Sequence, residues 1–172
     1  MSRELRKRCQ RIVDGLGLPQ PFSLELFLGQ LEKRRGRRIR TLPIPPRLAP
    51  SAPCGLWIET KDIDFIFYDA GTTPFHQRFI IAHECAHLVC ADQESSMSAG
   101  SLDLRQILPH LDPSLIQRVL GRDGYTDAEE EEAEMIASLI MDHDIKTAGA
   151  KPGAMGRLES VLGSRSHRPL KQ

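Results

Sequence analysis

The first part of the chain carries apolar residues at the spacing of an amphipathic helix. Leu5, Leu16 and the apolar positions between them fall on one face, and Gly17 ends the pattern. Ser23 then caps a second predicted helix, which Gly36 ends. We therefore expect two helices before the first strand.

Short runs rich in aromatic and β-branched residues follow. Residues 56–60 and 63–68 predict two strands joined by a tight turn at Lys61 and Asp62. Residues 38–44 predict another strand, which a proline-rich stretch separates from this hairpin. The pattern predicts a small antiparallel three-stranded sheet.

Two further helices are expected downstream. Pro74 opens a helix over residues 74–89, whose nearly continuous apolar surface is typical of a buried helix that packs on the sheet. Residues 127–141 predict another helix, with acids in the first turn where the helix dipole favours them. The segment between them predicts a loop over residues 92–100 and a short helix over residues 113–120. The fold class is therefore α+β.

A length of 172 residues with 40% hydrophobic positions suits one domain with a sizeable core. We place this domain at residues 1–146. Residues 147–172 are basic, rich in Gly and Ser and weakly periodic, and they predict a partly disordered tail with a short helix around residues 155–162.

The predicted buried helix contains His-Glu-Cys-Ala-His at residues 83–87. His83 and His87 lie on one helix face with Cβ atoms about 5–6 Å apart, so both can bind one ion at the Zn–N length of roughly 2.0–2.1 Å. Glu84 borders this face, where it can act as general base on a metal-bound water. Manganese and iron also accept such donors, and hydrolysis favours zinc. The alternative is a pair of core histidines hydrogen-bonded to the backbone.

Catalytic zinc takes three protein ligands and leaves a fourth position open. Glu130 is the best third donor, because it stands one turn before Ala133 on the inward stripe of the helix over residues 127–141. Glu129 and Glu134 border the same face and remain alternatives. The rest of the acidic run is typical of a solvated helix start.

Three more residues are candidates for substrate contact. His110 and Tyr125 flank the short helix predicted between the two motifs, and either can donate a hydrogen bond to an oxyanion. His76 lies about 10 Å before His83 along the same helix face, too far to share the ion but able to line a substrate groove. For His110 and Tyr125 an ordinary surface position is the competing interpretation.

The formal net charge is zero, yet residues 1–50 hold 12 Lys and Arg against 4 acids. The densest basic run covers residues 33–38. Few aromatic residues accompany it, so a solvated surface is favoured over direct nucleic-acid binding.

The four cysteines form no C-x-x-C pair, and neither a signal peptide nor an apolar run of membrane-spanning length is present. We expect reduced thiols and a cytoplasmic protein that does not bind membranes.

The segment over residues 78–89, together with Glu-Glu-Glu-Ala at residues 130–133 and Ile-Ala at residues 136–137, resembles the ImmA/IrrE family of zinc metallopeptidases. The family pattern is R-F-x-x-A-H-E-x-x-H followed by E-x-x-A-N-x-F-A. Glu134 replaces the Asn of that pattern. The resemblance implies a zincin-like domain in which His83, His87 and Glu130 bind one Zn²⁺ and Glu84 is the catalytic acid and base.

The resemblance also implies a metalloendopeptidase whose protein substrate is a helix-turn-helix transcriptional repressor in a regulatory or stress-response circuit. Two other functions remain open. One is a zinc-binding module that acts through a partner without proteolysis, or as the toxin of a toxin–antitoxin pair. The other is a structural domain without metal. The oligomeric state is not encoded in any feature of the sequence.

Overall fold

In the computed structural model, the described parts of the chain are residues 2–46, 53–91, 116–120 and 125–149. Helix α1 spans Arg3–Leu16 and helix α2 spans Leu24–Arg35. Both begin at a serine whose Oγ accepts a backbone hydrogen bond, and both end at a glycine in the left-handed conformation, where a side chain would be strained. The two helices predicted from the sequence are confirmed.

The sheet has four strands in the order β1, β3, β2, β4. Strand β1 spans Arg38–Pro43, β2 spans Gly55–Thr60 and β3 spans Ile63–Tyr68. Strands β2 and β3 form the expected antiparallel hairpin. Because β2 has neighbours on both sides and helices over the sheet, almost all of its residues are buried.

The expected three-stranded antiparallel arrangement is wrong for β1, which pairs with β3 in parallel. The proline-rich connection and β2 together are long enough to bring the chain back beside β1, so that β3 runs in the same direction. Local alternation predicts a strand but does not identify its neighbour.

The fourth strand, β4 at Ile116–Leu120, pairs antiparallel with β2. The short helix predicted over residues 113–120 is therefore wrong over these five residues. Its proline start fits a helix locally, whereas the unpaired edge of β2 offers backbone hydrogen bonds that a strand can take. Residues 92–115, which include the predicted loop, lie outside the described residues.

Helix α3 at Pro74–Ala91 lies between the sheet and helix α4 at Asp127–Gly149. The facing positions are small, and Ala82, Ala86, Ala133 and Ala137 are all buried. Small side chains let the two helix axes approach closely. The α+β class and the packing of the sheet beside α3 are confirmed.

A polar cluster lies inside the fold on the sheet side of α3. The Arg35 Nε donates to Asp64 at 2.9 Å, and Trp57 Nε1 donates to the other Asp64 oxygen at 3.1 Å. Arg37 pairs with Glu59 at 2.5 Å. We call these five residues the arginine cluster. Two members of the basic run thus stabilise the core, contrary to the expectation that the run is a solvated surface.

Helix α4 continues to Gly149, three residues beyond the domain boundary placed at residue 146. Residues 150–172, with the predicted short helix, lie outside the described residues, and the division into domain and tail stays a prediction. Among the helices of the described part of the chain, none combines the length and apolar character needed to cross a bilayer.

Candidate metal centre

Helix α3 brings two histidines to one side of the α3–α4 interface. His83 and His87 lie one turn apart, and their Nε2 atoms are 3.0 Å from each other. The two rings stand at 79° with centroids 4.7 Å apart. His87 is almost fully buried, whereas His83 keeps a fifth of its side chain exposed. The two nitrogens thus face one point at the edge of the core.

Helix α4 adds a carboxylate to this point. Glu130 Oε2 lies 3.4 Å from His83 Nε2, and Glu130 Oε1 lies 3.3 Å from His87 Nε2. The side chains of His83, His87 and Glu130 are the group of described residues whose ligand atoms converge closely enough to hold a metal ion. We call these three residues the histidine cluster.

Two ion pairs link α4 to its neighbouring helices. Arg8 of α1 pairs with Glu132 at 2.9 Å, and Arg78 of α3 pairs with Asp144 at 2.7 Å. One pair lies near each end of the helix, on either side of the buried alanine stripe. Since a shift of one residue turns a helix by about 100°, the packing of the buried alanine stripe, with these two ion pairs on either side of it, determines which carboxylate of the acidic run reaches the histidines.

The distances in the histidine cluster fit a tetrahedral ion. Metal–ligand bonds of roughly 2.0–2.1 Å at tetrahedral angles place neighbouring ligand atoms about 3.3–3.4 Å apart. The two Nε2 atoms are 3.0 Å apart, and Glu130 lies 3.4 Å from His83 through Oε2 and 3.3 Å from His87 through Oε1, so each histidine is close to one of the two carboxylate oxygens at nearly this spacing. Two imidazoles and a carboxylate are also donors that zinc accepts, and three ligands leave a fourth position.

The protonation state of His87 suits a ligand. Burial, followed by the neighbouring His83, lowers the pKa of His87 from 6.5 to about 3. The imidazole therefore stays neutral at physiological pH, which is the form that binds a metal. When both imidazoles are neutral, their Nε2 atoms can form at most one hydrogen bond with each other, in which one nitrogen donates and the other accepts. A metal ion can instead bind the lone pairs of both Nε2 atoms.

Glu84 is buried beside the histidine cluster, with 6% of its surface exposed. Burial, and to a lesser extent Glu130, raises the pKa of Glu84 from 4.5 to about 8. Its carboxylate lies against Gly55 at the start of β2. A Cβ at Gly55 would overlap a Glu84 oxygen and would lie 2.8 Å from Ile80 Cγ2. Glycine at this position therefore leaves the space that the carboxylate occupies.

The two alternative carboxylates have different surroundings. Glu129 Oε2 accepts a hydrogen bond of 2.7 Å from the Thr126 backbone nitrogen, and Thr126 Oγ1 accepts one from the Glu129 nitrogen. This reciprocal capping holds Glu129 at the helix start. Glu134 is exposed and lines the cavity next to the histidine cluster, but it is not part of the converging group.

The remaining candidates differ in their placement. Tyr125 stacks on His87, with ring centroids 3.5 Å apart and planes at 13°. His76 is exposed and stacks on Phe79 at 6.3 Å. Both residues line the cavity at the centre. His110 lies outside the described residues.

The cavity has a volume of about 250 Å³ and contains the histidine cluster and Glu84 on one side. Another part of the lining comes from the start of β2 and the residues before it, which are Pro53, Cys54 and Gly55, and Gly55 lies against Glu84. Cys54 O accepts a backbone hydrogen bond from Asp69 at 2.9 Å, which ties this wall to the end of β3. A group bound in the cavity therefore lies between α3, α4 and an extended segment.

Gly55 is the site residue that sequence reasoning missed. A glycine at the first position of a buried strand is the pattern that indicates close approach of another group, and it was available in the sequence. No local sequence pattern predicts the stacking of Tyr125 on His87, because 37 residues lie between them along the chain.

Searches of curated proteins and of solved structures gave no match to this chain. A family model does match, over residues 34–109, and its description is an IrrE N-terminal-like domain of the M78 peptidases. The matched range contains α3 with both histidines and Glu84, as well as Gly55, and it ends before Glu130. The segment from residue 34 to residue 109 is therefore similar to the IrrE N-terminal-like domain of the M78 peptidases, in agreement with the resemblance of residues 78–89 to the ImmA/IrrE family.

Proposed function

We propose that this protein is a zinc-dependent metalloendopeptidase with one Zn²⁺ per chain. The observation that carries the proposal is the convergence of His83, His87 and Glu130 at 3.0–3.4 Å, beside the buried carboxylate of Glu84. His83 and His87 bind the ion through Nε2, and Glu130 supplies the third ligand. When bound, zinc polarises a substrate carbonyl and lowers the pKa of water.

Glu84 is the acid and base of the reaction. It takes a proton from the attacking water and passes it to the nitrogen of the leaving amine as the C–N bond breaks. A pKa near the working pH suits a group that must both accept and release a proton, and burial raises the pKa of Glu84 to about 8 in the chain without metal. Gly55 leaves room for this carboxylate.

Of the two described candidates, Tyr125 is better placed than His76 to orient a metal ligand or to contact the substrate. Its ring covers the face of His87 and so restricts the orientation of the imidazole. The phenol also lines the cavity, where it is a candidate hydrogen-bond donor to the oxyanion. His76 has no such contact with the histidine cluster and lines the groove beyond Phe79. His110 stays a candidate on the sequence alone.

We further propose that the substrate is a helix-turn-helix transcriptional repressor, on the resemblance of residues 78–89 and 130–137 to the ImmA/IrrE pattern. The cleavage takes place in the cytoplasm, which is supported by four free thiols, one of them on the exposed Cys54. The partner is a protein, and the arginine cluster uses two residues of the basic run that nucleic-acid binding would need.

The catalytic proposal is tested with Glu84→Gln. We expect about one zinc per chain in both the wild type and this variant by elemental analysis, because Glu84 is not a ligand. Cleavage of a library of unstructured decapeptides, followed by mass spectrometry, should fall by about 10²–10⁴-fold or more. Glu130→Ala is the matched metal-site variant and should lose zinc as well as activity. A wild type without cleavage, or an equal rate in Glu84→Gln, contradicts the peptidase proposal.

The repressor proposal has a separate test in cells. Wild type and Glu84→Gln are expressed at equal levels, and new protein amino termini are compared by mass spectrometry. A helix-turn-helix regulator cut only by the wild type is the expected result. New termini confined to other classes of protein contradict this substrate.

A further inference from the structure

One carboxylate of the cavity has no role in the proposed reaction. Glu130 is the third ligand and Glu84 is the acid and base, whereas Glu134 also lines the cavity. Glu134 follows Glu130 by four residues on α4, so both side chains lie on the same face of that helix. Its exposure places it at the mouth of the cavity, where it meets an entering substrate.

The wall near Glu134 is aromatic and apolar. Helices α3 and α4 run antiparallel, since Glu130 contacts His87 while Asp144 pairs with Arg78. Moving from Glu130 to Glu134 therefore leads along α3 from the histidines towards Phe79 and His76, which line the same cavity. The His76 and Phe79 rings are stacked, with centroids 6.3 Å apart and planes at 4°, and both line the same cavity as the Glu134 carboxylate.

The described lining of the cavity has histidines but no side chain that is permanently positive at neutral pH. Among the described residues that line it, none is lysine or arginine, so no fixed cation of the lining neutralises Glu134. Aromatic rings and a carboxylate that line the same cavity suit a long cationic side chain. The methylene stem packs on the rings, and the charged end reaches the carboxylate and the ring face.

We propose that Glu134 selects peptides with a lysine or arginine side chain next to the cleaved bond, with the stem against Phe79 and His76. This inference rests on the proposed peptidase function and assigns the specificity of that same site. Because the pair is partly exposed to water, its contribution is modest, and we expect a preference of roughly 1.5- to 5-fold over a neutral side chain of equal length.

The experiment separates binding from cleavage. The zinc-loaded full-length Glu84→Gln protein is incubated with decapeptides that carry lysine, arginine, norleucine or glutamate at one varied position, and bound peptides are measured by affinity selection and mass spectrometry. Lysine and arginine peptides should be enriched over norleucine peptides. When Glu134→Gln is added to Glu84→Gln, the ratio of bound lysine or arginine peptides to bound norleucine peptides should be close to one. When Glu134→Lys is added instead, glutamate peptides should be enriched.

Glu131→Gln is the matched control, because Glu131 is exposed on the same helix but does not line the cavity. It changes the net charge equally and should keep the enrichment. Zinc content is measured for each variant, and loss of zinc in Glu134→Gln would assign this residue to the metal instead and overturn the proposal. Enrichment that is absent, or that persists in Glu134→Gln, also overturns it.

The same library is then given to the wild type and to Glu134→Gln with Glu84 intact. The proposal is supported if the wild type prefers lysine or arginine at a fixed position from the cut and Glu134→Gln loses this preference. If the wild type cuts nothing, the peptidase function fails, while the binding measurement on Glu84→Gln still decides whether Glu134 binds basic side chains. Cleavage without a basic preference refutes the role of Glu134 alone.

Discussion

Helix α3 contacts two polar clusters of opposite character. In the arginine cluster each charge meets its opposite: Arg35 pairs with Asp64, and Arg37 pairs with Glu59. The Leu88 carbonyl of α3 also accepts a hydrogen bond from Arg35. In the histidine cluster, two imidazoles face each other with a carboxylate beside them. Both clusters interrupt the apolar core, and in the first the carboxylates are neutralised by the protein's own arginines.

This difference distinguishes residues that stabilise the fold from residues that can bind a metal ion. A buried charge is tolerated when a partner of opposite charge and further hydrogen bonds surround it, as they do at Asp64. Two imidazoles and a carboxylate that converge on one point can hold an external cation. The arginine cluster should therefore matter for stability with or without metal, whereas the histidine cluster should stabilise the fold only when metal is supplied.

The largest expected effect is the loss of the arginine cluster. Arg35→Met leaves the buried Asp64 carboxylate without its guanidinium partner, which costs about 3–5 kcal/mol in the free energy of unfolding. Urea denaturation with and without zinc measures it, and the loss should be equal in both. Arg34→Met is the control, because Arg34 is exposed and bonds only to the Gly15 carbonyl among the contacts seen, so it should cost about 1 kcal/mol or less.

Zinc should stabilise the wild type but not His83→Ala. At a free zinc concentration one hundred times the dissociation constant, binding to the folded state adds about 2.7 kcal/mol. Thermal unfolding with zinc and with a chelator gives the difference. His83 is chosen because it is partly exposed, so its removal disturbs packing less than removal of His87. An equal zinc response in both proteins would contradict the ligand assignment, whereas Arg35→Met should retain the response.

The smallest of the three effects on stability comes from Gly55→Ala. The added methyl group meets the Glu84 carboxylate and Ile80 Cγ2, and such overpacking costs roughly 1–3 kcal/mol. Peptide cleavage should fall further than stability does, while zinc content stays at one per chain. Gly29→Ala is the matched control: its Cβ meets nothing within 4 Å inside helix α2, so it should be neutral or stabilising. Unchanged cleavage in Gly55→Ala would show that Glu84 does not need this space.

The helices and the centre of the site could be predicted because their determinants are local. Ser23 and Gly36 bound α2 as expected, and the spacing of His83 and His87 fixes their common face whatever surrounds them. The choice of Glu130 required one further inference, that Ala133 on the same helix face is buried. In the structure Ala133 is buried and Glu130 lies beside the histidines.

What could not be predicted depends on residues far apart in the chain. The parallel pairing of β1 with β3 and the addition of β4 follow from which strand edges are free, which no local pattern records. The basic run looks solvated in sequence, yet the turn after Gly36 carries Arg37 towards Glu59, and Arg35 reaches Asp64. The prediction failed there because the acidic partners lie on strands 22 to 29 residues away.

The ion pairs that hold α4 to α1 and α3 have a consequence for how such proteins are recognised. Arg8 and Arg78 pair with the helix that carries Glu130 on either side of its buried alanines, and neither these arginines nor the buried residues belong to the segment that joins the two motifs. That segment can therefore gain or lose residues over evolutionary time while the third carboxylate stays where it is. Searches for related chains should specify the helix face and its anchoring arginines rather than a fixed distance from the second histidine.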